Sequence, residues 1–397
     1  MDPYLTEWLN LALRFAHVIT GIAWIGASFY FVWLDNHLQK PPQWKDDKGI
    51  VGDLWAIHGG GFYEVAKYKH GPEQLPEILH WFKWEAYSTW LTGILLLSLM
   101  FYVGADIYLI DPSIAPLSQG VAIAIGVGVI AGGWVVYDLL CRTALAGNGV
   151  LLGLILMVLI TALSYYLSLT FSARGAFMHV GAVIGTIMAG NVFFTIMPSQ
   201  RALVDCVKQG KQADPTWGAK AKLRSTHNTY LTLPLIFIMI SNHYPMIFNH
   251  QYNWAVLMVV FVITALIRQY FVARHKGNQK IAVPIAAIVL TIALAVVIAP
   301  KVKPGSDTDQ IIVPATVKNI INQRCTTCHS KTNSDVVFRR AQAGVILDTL
   351  DDMVRMAPRI KARAIDAKDM PLLNKTKITE AERAYLAQWI AQGAKIK

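Results

Sequence analysis

The sequence predicts an all-α chain of two solvent classes: an eight-helix transmembrane bundle over residues 1–300, then a small soluble helical domain over 311–397. Three observations predict it. Of the 397 residues, 54% are hydrophobic and only 15% are charged, well below the roughly 25% charged residues of soluble domains. The apolar residues fall in long runs before Lys301, and the chain beyond it has a soluble composition. Each run reaches the ~20 residues that a helix needs to cross ~30 Å of hydrocarbon.

Eight runs meet that length, at about 8–34, 82–103, 117–140, 149–170, 175–197, 226–247, 253–273 and 281–299. Lipid offers no partner for backbone polar groups, so spans are helices or closed barrels, and runs this continuous exclude barrel strands. The first eight residues carry no Lys or Arg. They lack the basic start of a cleaved signal peptide, so the first run is expected to be retained. The segment 301–310, with Pro304, Gly305, Ser306 and Asp307, reads as a linker.

The net charge of +11 does not point to nucleic acid, because the basic residues sit in short loops between apolar runs. Alternate loops hold 15 Lys and Arg on one side against Arg174 alone on the other. The basic side is cytoplasmic by the positive-inside rule. With eight spans, both termini then lie outside. Cys141 and Cys206 fall in cytoplasmic loops, where thiols stay reduced.

The bundle reads as a 4+4 repeat. Phe15-Ala16-His17-Val18 and Ile25-Gly26-Ala27 in the first span match Phe177-Met178-His179-Val180 and Ile187-Met188-Ala189 in the fifth, at an offset of 162. Ser88-Thr89-Trp90-Leu91-Thr92 in the second span resembles Asn228-Thr229-Tyr230-Leu231-Thr232 in the sixth. Such a pattern suits two parallel halves related by an axis along the membrane normal.

Cys325-Thr326-Thr327-Cys328-His329 is the strongest chemical signal. C-x-x-C-H is the attachment motif of a covalent haem c, with the two thiols on the vinyl groups and the His as proximal iron ligand. A structural zinc site needs further ligands, and residues 330–397 contain no Cys or His. The sixth ligand is therefore expected to be Met353, Met356 or Met370. Met370 lies in the irregular stretch Asp369-Met370-Pro371-Leu372, suited to cover the distal haem face, and is the preferred choice. Thr379-Glu380-Ala381-Glu382 reads as a capping box opening the last helix. The layout resembles a small class I cytochrome c.

Ionisable residues inside spans are functional candidates by default. Arg14, His17 and His179 fall in the outer half. The repeat would set His17 and His179 face to face, a geometry suited to a haem b iron; the alternative is two histidines bonded to neighbouring helices. A second group, His80, Lys83, Glu85, Asp138, His227 and Arg268, lies near the cytoplasmic face. Glu85 is the expected base, since partial burial raises a carboxyl pKa; the alternative is an ion pair with Lys83. With Arg14, Asp138 and His227 it forms the candidate catalytic set. Trp81, Trp84 and Trp90 suit stacking on a planar substrate, or an aromatic belt.

Eight spans opening with Phe15-Ala16-His17-Val18-Ile19-Thr20-Gly21-Ile22-Ala23-Trp24-Ile25-Gly26-Ala27-Ser28, the stretch His80-Trp81-Phe82-Lys83-Trp84-Glu85, and the terminal haem motif together resemble the bacterial membrane-bound urate oxidases with a C-terminal cytochrome c. The resemblance implies oxidation of urate to 5-hydroxyisourate, with electrons leaving through haem c to a soluble cytochrome c or a terminal oxidase. It implies no hydrogen peroxide, and an inner-membrane location with both termini and the cytochrome domain periplasmic. The first span alone is similar to the first helix of the haem-b-containing bacterial protoporphyrinogen oxidases, which implies a haem ligand at His17. Urate is expected near the cytoplasmic half, between basic and aromatic side chains. Two other readings fit the same pattern: a quinol or other small-molecule dehydrogenase with the same outlet, and a membrane-anchored electron-transfer subunit without catalysis. The 15:1 loop asymmetry makes one outcome checkable: a reporter fused at Lys397 is expected to be active only in its periplasmic form, and a cytoplasmic signal would overturn the topology.

Overall fold

The computed structural model describes residues 3–69, 71–211, 214–275, 280–299, 313–335, 341, 344–366 and 368–395. The expected linker 301–310 and Lys276 of one basic loop lie outside them. The chain is mostly helical, and all eight apolar runs form helices. Among the described residues, five helical stretches are long and apolar enough to cross a membrane: Tyr4–His37, Gln119–Leu140, Gly149–Ser168, Ala173–Lys208 and Asn253–Arg274. Ala282–Val297 is equally apolar but shorter. Trp84–Leu97, with its π-helical continuation Ser98–Tyr102, and Pro215–Ser241 carry polar first turns. Glu85, Ser88 and Thr89 dilute the first, and Lys220, Lys222 and Arg224 the second.

The helix Ala173–Gly190 is central. Phe177, His179, Val180, Val183, Ile184, Ile187 and Met188 are all buried, and no residue of the helix is exposed. A helix apolar all round must lie inside its neighbours. Small residues make this possible, because a missing side chain lets backbones approach closely. Gly126 and Gly133 of Gln119–Leu140 receive His179 and Val183, and Gly190 receives the Trp134 ring. Leu152, Leu167, Phe171, Ile238 and Leu257 complete this core without exposure.

At one end of the bundle, a polar cluster replaces apolar packing. Buried Asp138 holds Arg224 at 2.7 Å and Arg142 at 2.6 Å. The Arg224 guanidinium also donates to Asn191 Oδ1 and lies over the Tyr137 ring. Asn191 Nδ2 donates to the Tyr137 hydroxyl and to Asn228 Oδ1, both at 2.9 Å. The cluster ties three helices, and nearly every polar atom in it has a partner, as burial requires.

One element corrects the all-α expectation. Ile50–His58 and Gly61–Tyr68 form an antiparallel hairpin in the first long loop. Gly59 and Gly60 turn it, both with positive φ, which side chains disfavour. Buried Lys45 pairs with Asp53 at 2.5 Å and with Glu64, fastening the hairpin to the preceding turn.

The C-terminal unit has its own core. Val317, Ile321, Leu347, Met353, Leu386 and Trp389 are buried between Pro314–Arg324, Leu350–Ile360 and Glu380–Ala391. The capping box at Thr379 and Glu382 is formed in both directions, and a second one is formed by Thr349 and Asp352.

Removing one partner of a buried charge pair leaves the other uncompensated, at a cost of about 3–5 kcal/mol. Arg224→Ala is therefore expected to lower the unfolding midpoint of the solubilised protein markedly. An unchanged midpoint would mean that the exposed Arg142 alone satisfies Asp138.

Candidate functional site

Arg14 and His17, one turn apart on Pro3–His37, line a cavity of about 490 Å³. Thr89, Trp90, Gly93, Phe101, Asn242, His243 and Tyr244 also line it. His17 Nδ1 lies 3.0 Å from the Thr89 carbonyl, so Nδ1–H donates there and Nε2 keeps its lone pair. Gly93 makes room for the ring: a Cβ there would meet His17 Cε1 at 2.9 Å. Arg14 Nε donates to Asn10 Oδ1, and the guanidinium has no ion pair among the described residues. Asn242 Oδ1 is buried and has no hydrogen-bond partner. The Trp90 indole donates to Thr186 at 3.0 Å, which fixes its ring at the wall. One unpaired cation, one imidazole base, one free amide oxygen and a fixed indole thus converge. That set suits a planar, polar anion.

His179 is not part of this cavity. It is fully buried between Phe101, Tyr102 and Phe171. Its Nδ1 donates to the Gly175 carbonyl at 2.9 Å, and its Nε2 accepts from the Tyr102 hydroxyl at 3.2 Å. Nε2 also presses on Gly126, where a Cβ would come within 2.6 Å. The two rings expected to flank a haem b have different neighbours, and Nε2 of His179 is already taken by the Tyr102 hydroxyl. The second histidine reading, a bond between neighbouring helices, describes what is seen. The sequence repeat likewise does not extend to the surroundings of its two histidines.

The cytoplasmic candidates do not gather into one site with Arg14. Asp138 has both oxygens on guanidinium groups. His227 accepts from or donates to the Tyr137 hydroxyl at 2.7 Å and lines a separate cavity of about 720 Å³. That cavity is walled mainly by Val, Leu, Ile and Gly, with Tyr137, Thr226, His227 and Tyr230 as its polar members. Glu85 lies in the first turn of Trp84–Leu97, with Oε2 buried and without a partner. It is one turn from Thr89, yet outside the Arg14 cavity.

A third cavity, of about 250 Å³, brings together Cys325, Cys328, His329 and Met370. The turn after Pro314–Arg324 places the two thiols and the imidazole, and the segment before Leu372 places the methionine. His329 Nδ1 donates to the Val345 carbonyl at 3.2 Å, leaving Nε2 as the free ligand nitrogen. Burial pushes the Cys325 thiol up to about 12 and the Cys328 thiol up to about 11. Met353 is buried in the core, while Met356 packs at its edge. Two thiols, an imidazole with one free nitrogen and a thioether around one cavity fit a covalent haem. Arg324, Arg363, Lys375, Tyr108 and Arg174 complete the lining.

Sequence reasoning did not single out Asn242, Tyr108 or the Tyr137–Asn191–Arg224 network. Asn242 stands beside His243 at the end of its span, and that pairing of two polar residues was its only local signal. Tyr108 and Arg174 acquire meaning only when the C-terminal unit packs over them.

The fold and these cavities define a helical protein with several membrane-length apolar helices, a cavity at one end that holds Arg14, His17 and Asn242, and a Cys-x-x-Cys-His cavity beside it. A family model described as urate oxidase N-terminal matches residues 3–299, and the chain belongs to that family. The match covers every apolar helix and stops before the Cys-x-x-Cys-His segment. Membership marks the chain as a urate oxidase-related oxidoreductase. No curated protein and no solved structure matches the chain significantly.

The Cys325 cavity generates a spectroscopic expectation. Met370→Ala is expected to abolish the weak methionine-to-iron charge-transfer band of the oxidised holoprotein and to lower its potential, since a methionine ligand raises it. An unaltered band would transfer the role to Met356 or Met353.

Proposed function

We propose that the chain is a membrane-bound urate dehydrogenase that oxidises urate to 5-hydroxyisourate in the Arg14 cavity and passes the electrons to a haem c held by Cys325, Cys328, His329 and Met370. The observation that carries this reading is the unpaired Arg14, together with His17 and the unbonded Asn242 Oδ1, in one cavity of the family-matched helices. The sequence pointed instead to the cytoplasmic half for urate. The large cavity there is mostly apolar, and Asp138 is already neutralised.

Arg14 binds the urate anion, because a guanidinium without a carboxylate partner is free to pair with one. Asn242 Oδ1 accepts a ring N–H, and Trp90 flanks the purine plane. His17 Nε2 takes a proton from urate or from the attacking water, its ring held by the Thr89 carbonyl. When bound, the haem supplies a one-electron acceptor. The overall change is urate plus water to 5-hydroxyisourate, two protons and two electrons; no oxygen is consumed, and no peroxide forms. The electrons leave to a soluble cytochrome c or a terminal oxidase. On this reading eight helices span the inner membrane and the haem unit faces the periplasm.

A quinol reading draws on one observation, the apolar cavity with the Tyr137–His227 pair at its edge. Anaerobic mixing of the pure holoprotein with each donor separates the two. Urate is expected to reduce the haem c, and turnover in air to leave no peroxide. Reduction by quinol alone would reject the urate reading. Arg14→Gln is expected to raise the KM for urate about tenfold, the worth of about 1.4 kcal/mol of lost charge pairing, with a smaller effect on kcat. An unchanged KM would remove Arg14 from the site.

A further inference from the structure

The Arg14 and Cys325 cavities lie at the same end of the helices, and two aromatic rings stand between them. Phe101 lines the first cavity and Tyr108 the second. Their ring centroids are 6.2 Å apart in edge-to-face contact. Phe101 is buried. Tyr108 is held in place from two sides. Its ring packs on Gly104, where a Cβ would meet Tyr108 Cδ2 at 3.0 Å. Its carbonyl accepts from Ser172 Oγ at 2.6 Å, at the start of the central helix.

Arg174 follows two residues later and lines the Cys325 cavity beside Tyr108. The cavity's other cations have carboxylate partners: Arg324 with Glu382 at 3.0 Å, Lys375 with Asp335 at 2.5 Å, and Arg363 with Asp369. Arg174 forms no ion pair among the described residues, and its Nε is buried without a hydrogen-bond partner. Its guanidinium rests over the Phe248 ring at 5.1 Å. Asp369, the carboxylate that faces it, is already engaged by Arg363. A half-buried cation without a carboxylate partner suits an anion supplied by the occupant of the cavity. A haem carries two propionates.

We propose that Phe101 and Tyr108 form the electron bridge from the Arg14 cavity to the haem c, and that Arg174 holds the haem edge against Tyr108 by pairing with a propionate. The inference rests on the proposed urate oxidation and on haem c at Cys325. Oxidation of one urate releases two electrons, and each reduces one ferric haem to ferrous. Two passes over the bridge therefore complete a turnover, with a soluble one-electron acceptor reoxidising the haem between them. The two protons go to water at the same end of the bundle. The electrons tunnel through the packed rings, so the phenol hydroxyl is not required.

The test uses full-length holoprotein in detergent and three readouts: the rate of haem reduction after anaerobic mixing with urate, urate affinity by equilibrium binding, and the haem midpoint potential by redox titration. Tyr108→Leu is expected to slow haem reduction about tenfold or more, with affinity and potential unchanged. Tyr108→Phe, which keeps the ring, is expected to restore most of the rate. Arg174→Gln is expected to lower the midpoint potential, because a cation beside the haem disfavours the ferric charge, while Arg174→Lys retains part of the shift. Wild-type rates in Tyr108→Leu would overturn the bridge, and a wild-type potential in Arg174→Gln would overturn the propionate contact. Failure of urate to reduce the wild-type haem would reject the urate reading itself, and the potentials would still decide the Arg174 contact.

Discussion

Close approach of the central helix Ala173–Gly190 to its neighbours is the constraint on which the rest depends. Between apolar helices there is little hydrophobic driving force in lipid, so association relies on van der Waals fit and small residues. Gly126 and Gly133 set the distance to Gln119–Leu140, and Gly190 admits Trp134. This one helix then fixes three features along its length. Arg174 stands at one end beside the Cys325 cavity, His179 is locked in the middle, and Asn191 follows its other end in the polar cluster. A side chain added at Gly126 would push on His179 and disturb all three registers at once.

The disposition of charge separates structure from chemistry. Asp138 and Arg224 neutralise each other within a network that also satisfies Asn191, Asn228 and Tyr137. Lys45 is equally well matched on the hairpin. Such groups join elements and leave nothing for a ligand. Arg14, Asn242 and Arg174 have polar atoms turned to cavities without carboxylate partners. Unpaired polar groups in a dry setting cost free energy, so the fold retains them where a ligand offsets that cost. Asp138 has both oxygens engaged, whereas Asn242 Oδ1 is unbonded.

The helices were legible because a membrane-length apolar run has one backbone solution, and the gathering of Cys325, Cys328 and His329 at one cavity was legible because C-x-x-C-H holds them within five contiguous residues. The hairpin at Ile50–His58 and Gly61–Tyr68 was hidden inside a loop read for its lysines rather than for its strand pattern and Gly59-Gly60 turn. The pairing of His17 with His179 failed for a different reason. Matching words at a fixed offset specify similar helices, but each helix's neighbours decide what its histidine meets. His17 meets Thr89 and Gly93, whereas His179 meets Gly126 and Tyr102. Depth along a helix was readable from sequence; azimuth and partner were not. Arg174 illustrates the limit, since it read only as the lone basic residue of the sparse loops.

On the proposed reading, a substrate cavity beside the Cys325 cavity also bears on the energetics of electron transfer. Moving one elementary charge across a membrane potential is worth about 2.3 kcal/mol per 100 mV. A urate site in the cytoplasmic half would send two electrons across most of that field and would require a relay through the helix core. The space before His179 holds no such group, because helix backbone and the Tyr102 hydroxyl fill it. With urate bound at Arg14, electrons travel only to the adjacent cavity, and the protons are released at the same face. Transfer then becomes a local event in which little charge crosses the field. The apolar interior need only hold Phe101 and Tyr108 in place, which the tight contacts of the central helix and Gly104 accomplish.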